Sequence, residues 1–102
     1  MADDENLETV TAARRVIISY DVKSRRRTEA SLVQQYVFGR EVLARTKGGV
    51  KRYRYEGLIH RPAVERLGQS VLMMKVAEAE AFAAYLSKLR VPYLEEQIWV
   101  HA

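Results

Sequence analysis

From Ala77 to Arg90 the chain admits one reading, an amphipathic helix that must lie against something apolar. Phe82, Tyr85, Leu86 and Leu89 share a side at helical spacing. Glu78 and Glu80 sit at the positive end of the helix dipole, and Lys88 and Arg90 at the negative end. Val91-Pro92 stops it, since proline disfavours helical geometry in the residue before it. The apolar run Ser70 to Val76 stands before the helix, and Tyr93 to Val100 follows it. Both read as strands.

The first half reads as a strand, a helix and a hairpin. Val16-Ile17-Ile18-Ser19-Tyr20-Asp21-Val22 is β-branched and nearly all apolar, which predicts a strand covered on both faces. The spacing of Leu32, Val33, Tyr36 and Val37 predicts a helix from about Arg26 to Val37, with Ser24 as candidate cap and Gly39 as stop. Tyr36-Val37-Phe38 also suits the opening of a strand. Arg40 to Arg45 and Val50 to Ile59 flank Thr46-Lys47-Gly48-Gly49, whose glycines suit the positive φ of a tight hairpin turn. A loop runs through Arg61-Pro62 and around Gly68.

The order is strand, helix, hairpin, strand, helix, strand. It predicts a single-domain α+β sandwich, a mainly antiparallel sheet with two helices on one face. The layout is ferredoxin-like with an extra hairpin strand. Residues 1–13 are polar and read as a flexible acidic tail, and residues 14–102 as the basic domain.

Composition narrows the functional classes. The 102 residues fit one domain. No apolar run approaches the roughly 18–20 residues of a membrane span, and the acidic start is unlike a secretory signal. With no cysteine, disulfides, thiolate catalysis and thiolate zinc sites are excluded. The expected location is cytoplasmic. Arg and Glu richness would also suit a thermophile.

The net charge of +4 conceals a strong asymmetry. Residues 9–66 hold 14 of the 17 Lys and Arg against five acids, or +9, whereas the first eight residues carry −4 and residues 67–102 carry −1. Such a field attracts a polyanion. In Lys51-Arg52-Tyr53-Arg54-Tyr55, strand alternation puts Arg52 and Arg54 on one face and Lys51, Tyr53 and Tyr55 on the other. Cations neutralise phosphates and exposed tyrosines stack on unpaired bases. With Arg45 and Lys47 near the turn, the hairpin would form a basic finger. The competing reading buries Tyr53 and Tyr55 in the core and leaves the arginines as a solvated face. Arg25-Arg26-Arg27 at the start of the first helix form either an anion site or a solvated turn. Arg61 and Arg66 would extend the same surface.

A short strand closing on Tyr20-Asp21 just before an arginine cluster, in a small basic ferredoxin-like chain, is similar to the Cas2 family of CRISPR adaptation proteins. The likeness covers about Val16 to Arg27. It implies a part for Asp21 in metal-dependent nuclease activity, and a fold that pairs as a dimer. The Gly-Gly hairpin and the segment after the first helix depart from that pattern. One carboxylate alone makes a poor Mg²⁺ site, so by itself Asp21 reads as a loop-entry or ion-pair residue. His60, with Tyr53 or Tyr55 and Lys88, would supply the groups for metal-free RNA cleavage, or is simply a loop histidine. There is no Gly-rich phosphate loop, no paired-histidine motif and no Glu-x-Lys nuclease strand.

The expected function is therefore a small, weakly sequence-specific nucleic-acid-binding protein that needs no cofactor or metal, with DNA or RNA as partner. A homodimer or protein-interaction subunit pairing through exposed strands is the first alternative, and a small nuclease the second. The acidic tail would fold over the basic face as a phosphate mimic.

Overall fold

The computed structural model describes residues 12–23 and 26–101. Residues 1–11 of the expected acidic tail, the cap candidate Ser24 and the triplet member Arg25 lie outside them. The elements are β1 (Ala12–Tyr20), α1 (Arg27–Phe38), β2 (Arg40–Thr46), β3 (Gly49–Tyr55), a 3₁₀ turn (Leu58–His60), β4 (Glu65–Gly68), β5 (Val71–Met74), α2 (Val76–Lys88) and β6 (Tyr93–His101). Strands β4, β5, β1 and β6 form one sheet in that order, with every neighbouring pair antiparallel. Set β2 and β3 aside and this is the βαββαβ ferredoxin-like arrangement. The hairpin is not a fifth strand of that sheet. It is a separate two-stranded ribbon inserted between α1 and the 3₁₀ turn.

Alternation along β1 shows why the sheet is built this way. Val16, Ile18 and Tyr20 are buried. They meet Leu72 and Met74 of β5, Val33 and Val37 of α1, and Ala79, Phe82 and Leu86 of α2 in one core. Their neighbours Ile17 and Ser19 point to the other side, together with Val71, Met73, Ile98 and Val100, and are only half-buried. The apolar run at Val16 therefore has one covered face, not two. Its strand also begins at Ala12, inside the stretch expected to be tail. The helices are tied to each other through rings. Tyr36 stacks on Phe82 at 5.4 Å and on Tyr85 at 4.6 Å, while Tyr20 meets Phe82 edge-on at 5.4 Å.

Helix α1 keeps Tyr36, Val37 and Phe38, so these residues end the helix and do not open a strand. Arg26 takes the N-cap position without a side-chain bond, and Gly39, at φ 81, takes the C-cap. Helix α2 stops before the proline exerts its effect. Arg90 adopts φ 58, and the Arg90 and Val91 amides bond to the Ser87 and Leu86 carbonyls at 3.0 and 2.9 Å. This is the Schellman pattern, with buried Val91 as its apolar anchor.

Two further boundaries are corrected. The hairpin's second arm ends at Tyr55, and Leu58 to Ile59 belong to the 3₁₀ turn. The expected loop around Gly68 contains β4, which pairs Glu65 with Met73 and Arg66 with Leu72 before a bulge. In the turn, only Gly49 has positive φ, at 114.

Burial raises the phenol pKa of Tyr20, offset in part by the Ser70 hydrogen bond and the charge of Arg66. Burial also raises that of Tyr36, with Arg61 opposing. The folded state thus holds these protons more tightly than the unfolded chain. The associated stability is intact below the ordinary phenol value near 10 and is lost as pH rises through the folded values. Urea titrations at neutral and strongly alkaline pH should show a steeper alkaline loss in wild type than in Tyr20→Phe/Tyr36→Phe. Equal losses would contradict the assignment.

Candidate functional site

The hairpin's register sorts its side chains. Arg40 opposes Tyr55, Val42 opposes Tyr53 and Ala44 opposes Lys51, so these six share one face. Glu41, Leu43 and Arg45 oppose Arg54, Arg52 and Val50 on the other. The ribbon's substantial packing is between its own two strands. At about 3.4 Å per residue each seven-residue arm is roughly 23 Å long. Every residue of β3 is exposed.

This geometry decides the fate of the tyrosines. Tyr53 is 44% and Tyr55 54% exposed, so neither is a core residue. The face carrying them combines two accessible rings, half-buried Val42 and Ala44, and the cations Arg40 and Lys51. Arg40 lies 5.3 Å from the centre of the Tyr55 ring, within cation–π distance. The opposite face places Arg45, Arg52 and Arg54 beside exposed Leu43 and Val50. Glu41 is its one acid. The Glu41–Arg52 contact of 3.9 Å joins two well-exposed groups, and such a pair contributes little. From Arg40 to Tyr55 there are six basic residues and one acidic residue.

Where the ribbon leaves the domain, two backbones cross. A Cβ on Gly57 would collide with the Gly39 nitrogen, the Val37 oxygen and the Phe38 carbonyl carbon. Gly39 meets Tyr55 and Gly57 in the same way. The crossing fixes the direction in which the ribbon projects. His60 sits beside it, and its Nδ1 accepts the Gly57 N–H at 3.0 Å. That bond gives His60 a local structural task. Asp21 has one too, accepting the Lys23 N–H at 2.9 Å. Among the described residues no three of His, Cys, Asp and Glu stand together.

The remaining predicted cations are not all at the ribbon. Lys47 is in its turn. Arg26 and Arg27 are exposed at the start of α1, about 18 Å along a 12-residue helix from the ribbon's root. Arg61 follows the 3₁₀ turn and lines a shallow depression with Tyr36 and Glu56. Arg66 lies on β4, its guanidinium 5.1 Å from the Phe38 ring centre and its Nε donating to the Gly68 carbonyl at 3.3 Å. Sequence reasoning missed a group that meets Arg66 at the end of β1, namely Tyr20, Lys23, Gln34, Gln69 and Ser70. Three separate segments supply it, and no local spacing signals it.

Comparison with protein-family models, curated proteins and solved structures returned no match.

Proposed function

We propose that this is a nucleic-acid-binding protein whose projecting hairpin lies along the sugar–phosphate backbone, weakly selective for sequence. The observation that carries the reading is the two-faced ribbon. Three arginines on one side and two accessible tyrosines with Arg40 and Lys51 on the other match the two chemistries a strand offers, phosphate charge and base faces. With phosphate contacts dominating, affinity falls steeply with salt. The absence of cysteine suits a cytoplasmic setting. The test is the salt dependence of binding with and without Arg52 and Arg54.

A second reading, self-association, is favoured by a separate observation. Strand β6 is nine residues long and, among the described residues, pairs along one edge only, with β1. Beside it, on the sheet face opposite the helices, Ile17, Met73, Ile98 and Val100 stand together with Arg15 and Glu96. Long free edges are where chains pair. On this reading the 11.8 kDa chain sediments at twice its mass at micromolar concentration, and Ile98→Glu returns it to monomer. A monomer at every concentration refutes it.

A further inference from the structure

The geometry points to a second anion site, distinct from the hairpin, which takes a phosphate monoester. It lies where the end of β1, the second half of α1 and the β4–β5 turn meet. A cavity of about 280 Å³ there is lined by Tyr20, Val22, Lys23, Gln34, Phe38, Arg66, Gln69 and Ser70. A second depression of about 250 Å³ adjoins it through Tyr20, Lys23, Gln69 and Ser70.

Donors outnumber acceptors in this cavity. Lys23 and Arg66 supply two positive charges, and Gln34, Gln69, Ser70 and Tyr20 supply N–H or O–H groups. Among the described residues no acid lines the first cavity; Asp21 lines the second depression, where its Oδ1 accepts the Lys23 backbone N–H. Arg66 is held in place before any ligand arrives. The Phe38 ring supports the guanidinium from one side, and Nε is bound to the Gly68 carbonyl. This leaves the terminal nitrogens, the paired donors that grip phosphate in bidentate fashion. Arg66 and the Tyr20 phenol line the same cavity. The volume accepts a phosphate with part of an attached sugar, while the wall formed by Phe38, Tyr20 and Val22 is apolar. A monoester, with charge on one side and a carbon skeleton on the other, matches that division. A diester in mid-strand carries less charge and has a carbon skeleton on both sides of its phosphate.

The phosphate can belong to the end of a nucleic-acid strand or to a free mononucleotide. The strand-end form rests on the nucleic-acid reading of the hairpin, and the free form does not. Two titrations separate them, using wild type, Lys23→Gln and Arg66→Gln. In the first, AMP and inorganic phosphate are added while backbone amide shifts are followed by NMR. In the second, a single-stranded oligonucleotide is compared with and without a 5′-phosphate. Expected results are millimolar or tighter AMP binding with shifts at Lys23, Gln34, Arg66 and Ser70, and about tenfold weakening in each variant. A 5′-phosphate that strengthens binding in wild type but not in the variants assigns the site to strand ends. AMP binding with no such increment assigns it to free nucleotides. The inference is overturned if neither occurs, or if both glutamine variants bind as wild type does. Binding of the 5′-hydroxyl strand reports on the hairpin alone, so that reading and this one fail separately.

Discussion

Gly57→Ala is expected to lower the free energy of unfolding by about 3–5 kcal/mol, a large share of the roughly 5–15 kcal/mol typical of a domain. Every atom that its Cβ would strike is backbone, belonging to Val37, Phe38 and Gly39. None can rotate away as a side-chain tip does. Relief requires the end of α1 and the root of the hairpin to separate, breaking the crossing that aims the ribbon. The matched control is Gly48→Ala in the hairpin turn, where the nearest atom would be the Thr46 hydroxyl at 4.0 Å and φ is not positive. That change should stay within about 0.5 kcal/mol. Urea unfolding followed by circular dichroism measures both. Equal stabilities for the two variants would mean that the crossing is looser than described.

The second large effect concerns ligand choice. Tyr53→Ala and Tyr55→Ala should each weaken single-strand binding by roughly 5- to 150-fold, the range for losing one stacked base. Duplex binding, in which bases are already stacked on each other, should change by less than about twofold. Tyr55→Ala has the further consequence of freeing Arg40 from its ring, so its effect should be the larger. Equal losses on single strand and duplex would show that the rings contribute shape or folding and not stacking.

The sequence foreshadowed what local patterns encode. Phe82, Leu86 and their helical spacing gave α2, the β-branched run gave β1, and the glycine-bearing turn between two polar runs gave the hairpin. Alternation in Lys51 to Tyr55 assigned each side chain to the correct face of the ribbon. What pairing and packing decide was hidden. Glu65-Arg66-Leu67-Gly68 has two charges, a glycine and no alternation, and it is a strand only because β5 offers it an edge at Val71, Leu72 and Met73. The run Val16 to Val22 looks buried on both sides, because Ile17 is as apolar as Ile18. Only the position of the helices shows which side is covered. The hairpin's separation from the sheet was equally hidden, since a strand's own residues do not name its partners. The cavity around Arg66 draws on positions from Tyr20 to Ser70 that become neighbours only in the fold.

The central claim is that the hairpin holds a polyanion. The most direct measurement is fluorescence anisotropy with labelled single- and double-stranded DNA and RNA over a salt series, for wild type and Arg52→Ala/Arg54→Ala. The account predicts micromolar or tighter binding to at least one of the four, weakening steeply with salt. In the double variant binding should be weaker, and the log–log salt slope shallower by about 1.4–1.8, as two lost phosphate contacts require. No binding to any of the four at low salt, or a variant indistinguishable from wild type, would contradict it.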